Sequence, residues 1–306
     1  MRILMVGAGA TGGYFGGRLA LAGRDVTFLV RGARREQLQR DGLRLSGPRG
    51  EAQVSPKLIT ADELAAAGAF DVVLISTKAY SLDTAMADFA PAVGAETVVI
   101  PLLNGMKHID VLRERFGDQL FGGSVRIVAD VTADGRIEQM GQLAELTFGE
   151  LSKERTARAE RLLEQFTVPG FEAKLSDDVV AALWSKWWFL ASMGAVCVVG
   201  GGSVGEVVAA EPWGVATALA ITQECADIAA ANGYAPKPEM VEQHGKRMTE
   251  AGSSLTSSMY RDMKKGLPVE VDQILGDFLS RAKGVAAPLL KGAYVQLKVY
   301  EAKRAK

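Results

Sequence analysis

The sequence predicts an α/β protein in which a doubly wound parallel sheet is followed by an all-helical region, and three observations carry that prediction. From Met1 to about Phe171, short apolar runs rich in β-branched residues alternate with helical patterns, as expected for parallel strands covered on both faces. After the turn signal Val168, Pro169, Gly170 the texture changes to long helical patterns with few strand signals. At 306 residues, the chain also exceeds the size of roughly 250 to 300 residues at which a single core stops growing. Two domains are therefore expected, residues 1–176 and 177–306.

Taken in order, the predicted strands of the parallel sheet are Ile3 to Val6, Val26 to Val30, Val72 to Ser76, Thr97 to Pro101 and Gly123 to Val128. Ala52 to Ser55 and the region Ile137 to Gly149 look like additional strands, the latter compatible with antiparallel pairing. Ser176 and Asp177 are candidate N-caps for a helix running through Val179, Leu183, Trp184 and Trp188, because their short oxygen-bearing side chains can accept from the free N–H groups of a first turn. The 19 residues from Trp187 to Gly205 carry no charge. Their apolar part nevertheless ends near Val199 and runs into Gly200, Gly201 and Gly202, short of the ~20 apolar residues a membrane span needs. A buried helix followed by a turn is expected there. Lys303 to Lys306 read as a solvated helix end.

Composition excludes several classes of function. A net charge of -1 and a pI near 6.2 give no general attraction to nucleic acid or an anionic membrane surface, so an anion site must be local. Cys197 and Cys225, the two cysteines, lie in apolar helix-like surroundings that suit buried free thiols in a reducing compartment. With only His108 and His244 besides, no metal site is expected. Met1 to Val6 enter a strand-like segment with no signal-peptide pattern, which predicts a cytoplasmic protein.

Gly7, Ala8, Gly9, Ala10, Thr11 and Gly12 form G-x-G-x-x-G directly after the first strand and at the head of a helical pattern. In that context the first glycine permits a tight turn, the second lets backbone approach a pyrophosphate, and the third lets helix pack on strand. The N–H groups of the helix start then face the phosphates. This is the Rossmann arrangement, and it predicts a dinucleotide. Where an NAD enzyme carries an acidic residue for the ribose 2'-hydroxyl, after the second strand, this chain has Arg31, with Arg34 and Arg35 close behind. A cation there can pair with the 2'-phosphate of NADP, so NADPH is the expected cofactor.

Further segments carry a family resemblance: S-T-K-A-Y around Lys78, L-N-G around Asn104, W-S-K around Lys186, and S-S-M-Y-R-D from Ser257 continuing to V-E-V-D around Glu270. Together with the glycine motif and Arg31, and in this order along nearly the whole chain, they resemble the ketopantoate reductase (2-dehydropantoate 2-reductase) family. The resemblance implies a Rossmann domain plus an all-helical domain, NADPH as hydride donor, and reduction of a 2-oxo acid, with pantothenate and coenzyme A synthesis as the setting. It implies that Lys186 is the general acid that protonates the carbonyl oxygen. A cation with a transferable proton suits that step, because negative charge develops on oxygen as hydride arrives at carbon. By the same resemblance Glu270 contacts the substrate hydroxyl, with Asp272 a competing carboxylate. Ser258 would bind the substrate carboxylate, Asn104 would stand between nicotinamide and the lysine, and Lys78 would lie near the cofactor.

The match has gaps. Positions 190 and 194 lie one and two turns beyond Lys186 on broadly the same helix face, where the family has asparagines and this chain has Leu190 and Gly194. Both belong to the substrate side of the family's cleft, so a different, bulkier 2-oxo or hydroxy acid is an alternative to ketopantoate. Gly194 suggests close packing by something, either a substrate tail or a neighbouring helix. A non-catalytic NADP-binding sensor is a further alternative, against which the presence of both Lys186 and Glu270 argues. A small-molecule 2-oxo acid is the expected partner, with neither nucleic acid nor membrane, and a homodimer is one option for the assembly.

Overall fold

A computed structural model describes residues 1–304; the last two positions of the predicted solvated end, Ala305 and Lys306, lie outside the described residues. The chain divides into two compact units, one comprising residues 1–103 and 108–182, the other 104–107 and 183–304 among the described residues.

The first unit follows a strand-helix alternation. β1 (Arg2–Val6), α1 (Ala10–Leu21), β2 (Asp25–Leu29), α2 (Gly32–Asp41), β3 (Leu43–Ser46), β4 (Ala52–Val54), β5 (Lys57–Ile59), α3 (Ala61–Ala67), β6 (Phe70–Ile75), α4 (Leu82–Phe89) and β7 (Val93–Pro101) come first. Then follow α5 (Lys107–Phe116), β8 (Phe121–Val131), β9 (Ile137–Glu150), α6 (Ala157–Phe166) and β10 (Glu172–Leu175). A five-stranded parallel sheet has the order β5-β2-β1-β6-β7. Its central strands are covered on both faces, and Ile3, Leu4, Met5 and Val72 to Ile75 are fully buried. That double burial is why they read as continuous apolar runs and not as alternating ones.

The expected strand Gly123 to Val128 exists as part of β8 but does not belong to that sheet. β8 instead pairs antiparallel with β9 in a second sheet of order β10-β9-β3-β4. A fully buried strand and a half-buried one can carry the same apolar residues, and local sequence does not say which partner a strand will take. The antiparallel assignment of Ile137 to Gly149 holds for its pairing with β8, while β3 and β10 join β9 in parallel. The short strands β3, β5 and β10 were not anticipated. α6 shows the expected physics of a covering helix: Ala159, Leu162 and Phe166 face inward at spacings of three and four, and Phe166 meets Phe148 of β9 edge-on at 5.2 Å.

The longest helix, α7 (Val179–Gly200), runs from the first unit into the second. Its N-terminus is set by Asp178, whose Oδ1 accepts from the Ala181 amide at 3.0 Å, while Ser176 Oγ accepts from the Asp178 amide. The cap is thus Asp178, and the candidates Ser176 and Asp177 lie two residues and one residue early. α7 is long and apolar enough to cross a membrane, yet 67% of its most apolar window is buried within the protein. Gly201, at φ 68°, ends it in a turn, as the glycine run predicted. The second unit continues with α8 (Val204–Val208), α9 (Gly214–Ala231), α10 (Pro238–Met248) and α11 (Ser258–Lys264). A π turn over Asp272–Gly276, α12 (Asp277–Ser280) and α13 (Pro288–Arg304) complete it. Lys303 and Arg304 are exposed at the end of α13. Cys197 and Cys225 are buried free thiols, and burial pushes both thiols up from their ordinary range.

Candidate active site

In the first unit the glycine-rich turn joins β1 to α1. Gly7 has φ 96°, and a β-carbon on it would stand 3.0 Å from the Ser76 carbonyl at the end of β6. A Gly12 β-carbon would press on the Ser76 side chain at 2.8 Å, so this residue must be small for α1 to lie against the strand ends. Gly9 is exposed with nothing within 4 Å of a would-be β-carbon, and it caps α1 with no side-chain acceptor. The first-turn N–H groups of α1 are therefore left for an anion approaching from the Gly9 side. Ala8 is buried, and Ala10 and Thr11 are half-buried at the helix start. The turn fits the phosphates of a dinucleotide.

The three arginines after β2 separate by role. Arg31 caps α2, its side chain 56% exposed, and pairs with Asp88 at 2.8 Å. Arg34 turns inward: Nε donates to the Ala8 carbonyl at 2.9 Å, and Nη1 to Gln37 Oε1 at 2.6 Å and the Gly135 carbonyl at 2.8 Å. Burial, with Arg44 nearby, lowers its pKa from the usual guanidinium value. Arg35 pairs with Glu63 at 3.2 Å. Lys78 is exposed and caps the short turn Ala79–Ser81 that follows β6.

In the second unit a small cleft, open to solvent, is lined by Asn104, Leu190, Ser257, Ser258, Met259, Glu270 and Ile274. Four residues named from sequence, Asn104, Leu190, Ser258 and Glu270, thus meet from four separate segments. Lys186 lies on α7 one turn before Leu190, half-buried between the buried Trp184, Trp187 and Trp188. Ser257 caps α11, its Oγ accepting from the Tyr260 amide at 3.0 Å, which makes Ser258 the first helical residue. Gly194 is not part of the lining. A β-carbon there would stand 2.9 Å from Met259 Cε, so the close packing implied by this glycine is supplied by a side chain of α11. Ser257, Met259 and Ile274 were missed from sequence, because a serine beside Ser258 and apolar residues at helical spacing carry no signal distinguishing a cavity wall from core.

Asp272 is drawn away from the cavity role by α13: Tyr294 Oη donates to its Oδ1 and Lys298 Nζ to its Oδ2, both at 2.9 Å. Burial raises its pKa, but these two partners outweigh it and hold the carboxyl below the ordinary range. Asn104 is set by Gly105, which has φ 82° and whose β-carbon would stand 2.6 Å from the Gln273 carbonyl. Only glycine lets backbone pass so close in that conformation.

A glycine turn that fits dinucleotide phosphates, together with a small cavity of mixed lining that bears the Glu270 carboxylate, fits one class: an NAD(P)-dependent oxidoreductase acting on CH–OH groups. The family model described as ketopantoate reductase PanE/ApbA matches residues 3–153, and its C-terminal companion matches residues 178–301. The chain belongs to the ketopantoate reductase family. It is 36% identical over 307 residues to YkpB, an uncharacterized oxidoreductase of Bacillus subtilis, across 99% of this chain and 100% of that one. To a 2-dehydropantoate 2-reductase of Mesorhizobium japonicum it is 32% identical over 300 residues, across 90% and 89% of the two chains. The crystal structure of 2-dehydropantoate 2-reductase from Geobacter metallireducens superposes with a TM-score of 0.88 at 25% identity, covering 97% of this chain and 99% of that chain. The activity these findings support is 2-oxo acid reduction of the ketopantoate reductase type.

Proposed function

We propose that the protein reduces 2-dehydropantoate to pantoate with NADPH, with residues 1–176 holding the cofactor and residues 177–306 the substrate. The observation that carries this reading is the convergence of Asn104, Ser258 and Glu270 on one cavity whose wall includes Leu190, one helical turn along α7 from Lys186. The bound nicotinamide supplies the hydride. Lys186 delivers a proton to the carbonyl oxygen, a step in which a cation stabilises the developing negative charge more than the ground state. Ser258 donates to the substrate carboxylate, Glu270 accepts from the nascent hydroxyl, and Asn104 orients the carbonyl toward the lysine. Arg31 exchanges Asp88 for the 2'-phosphate. An exposed ion pair is worth about 0 to 1 kcal/mol, so the exchange costs little.

A second substrate reading rests on the cavity wall. Leu190, Met259 and Ile274 present apolar surface, and Leu190 stands where the family resemblance implies an asparagine. These groups favour a 2-oxo acid with a larger apolar tail. One screen tests both readings: a panel of 2-oxo acids, ketopantoate included, is offered with NADPH and with NADH, and loss of nicotinamide absorbance is followed. Fastest turnover of ketopantoate with NADPH supports the first reading. Preference for a bulkier acid supports the second, and turnover with NADH alone overturns the assignment to Arg31.

A further inference from the structure

The π turn is held from outside at three consecutive residues, each by a different element. Asp272 is bonded by Tyr294 and Lys298 of α13. The Gln273 carbonyl lies against Gly105, and the Ile274 carbonyl accepts from Trp187 Nε1 at 3.0 Å. Two of these holders adjoin proposed site residues in the chain, since Gly105 follows Asn104 and Trp187 follows Lys186. The turn begins two residues after Glu270, and the Ile274 amide donates back to the Glu270 carbonyl at 3.0 Å. A π turn widens the helical ring by one residue and is rare in helices, so its geometry depends on such anchors.

The anchors are unequal. The Asp272 partners are half-exposed, with Lys298 at 39% and Asp272 at 49%, where ion pairs contribute little. Gly105 makes a contact and no bond. Trp187 is 1% exposed, and its ring is fixed edge-on to Phe278 at 4.8 Å and against Trp184 at 5.0 Å. Its N–H donates in a site from which water is excluded, where losing the donor strands a carbonyl.

We propose that Trp187 is a positioning residue: by holding the π turn through the Ile274 carbonyl, its indole N–H fixes the spacing between Lys186 and Glu270. The proposal rests on the assignment of Lys186 and Glu270 to the chemistry. A misplacement of about 1 Å costs a rate of about 10²-fold.

The test compares Trp187→Phe, which deletes the donor and keeps a ring, with Trp184→Phe, which removes an indole from the same cluster without touching the Ile274 bond. Steady-state reduction of the best 2-oxo acid, NADPH affinity by fluorescence titration, and thermal melting are measured for both and for Lys186→Ala. The expected result is a kcat lower by about 10²-fold in Trp187→Phe, with cofactor affinity unchanged and melting like that of Trp184→Phe. Equal kcat in the two Phe variants overturns the proposal while leaving the role of Lys186 intact. Near-native kcat in Lys186→Ala overturns the chemical assignment and this proposal with it. Should Trp187→Phe fail to fold, replacement of Trp187 by benzothienylalanine, which puts sulfur in place of the indole N–H and keeps the bicyclic ring, decides: the same loss of kcat at constant cofactor affinity supports the proposal, and native kcat overturns it.

Discussion

Arg34 Nε donates to the Ala8 carbonyl at 2.9 Å, so the middle of the glycine-rich turn is tied to α2. Through Nη1 the same guanidinium reaches the Gly135 carbonyl in the β8–β9 turn. Arg31, three residues earlier, bonds to none of these groups and pairs with Asp88. The two arginines should therefore fail differently. Arg34→Ala is expected to raise KM for NADPH and NADH in similar proportion, since the loop serves the pyrophosphate that both share. Arg31→Ala should raise KM for NADPH alone, and Asp88→Asn should lower it by freeing Arg31. Steady-state kinetics with both cofactors check this, and a purely NADPH-selective defect in Arg34→Ala would show that the loop does not depend on it.

Lys186→Ala should reduce kcat by about 10² to 10⁴-fold, the usual contribution of a positioned general acid, with NADPH affinity retained because the glycine turn lies elsewhere in the chain. Glu270→Ala should impair kcat or the KM for substrate and likewise spare the cofactor. Rates combined with cofactor titration separate these effects. A near-normal kcat in Lys186→Ala would remove the lysine from the mechanism.

Met259 stands over Gly194 and also lines the cavity, so its side chain sets how much room lies beyond Leu190. Met259→Ala should raise kcat/KM for 2-oxo acids with large apolar tails relative to ketopantoate. Gly194→Ala should displace the flexible Met259 methyl inward and shift the preference the other way. The ratio of kcat/KM values across a tail-length series is the measurement. An unchanged ratio in both variants would place the specificity elsewhere. Leu190→Asn tests the other wall: restoring a hydrogen bond worth about 0.5 to 1.5 kcal/mol should improve efficiency with ketopantoate by roughly 2- to 12-fold.

Burial, with Arg247 nearby, lowers His244 to about 4. Ser192 Oγ, which also reaches the Phe189 carbonyl, is hydrogen-bonded to His244 Nε2. Nδ1 is buried with no partner. Because the folded pKa lies below the ordinary 6.5, the unfolded chain binds the proton more readily between those values. The stabilisation is fully present above about pH 6.5 and is lost as pH falls toward 4, to an extent on the order of 3 kcal/mol. Melting temperature should drop between pH 7 and pH 5 more steeply in the native protein than in His244→Gln. Parallel curves would rule His244 out as the source.

The sequence by itself determined the alternating sheet and helices, the buried character of α7 and the glycine turn. Each rests on chemistry within one short segment: double burial gives continuous apolar runs, and a phosphate turn needs small residues at set spacings. It also named Asn104, Leu190, Ser258 and Glu270, which the fold brings to one cavity. Tertiary structure decided what depends on partners distant in the chain. β8 left the parallel sheet because strand pairing is settled by the other strand's availability. Arg34 and Arg31 are alike in sequence and differ because the Ala8 carbonyl faces one and Asp88 the other. Gly194 turned toward Met259, and Asp272 toward Tyr294 and Lys298, because a helix face is assigned by what packs against it, and no local pattern records the identity of that neighbour.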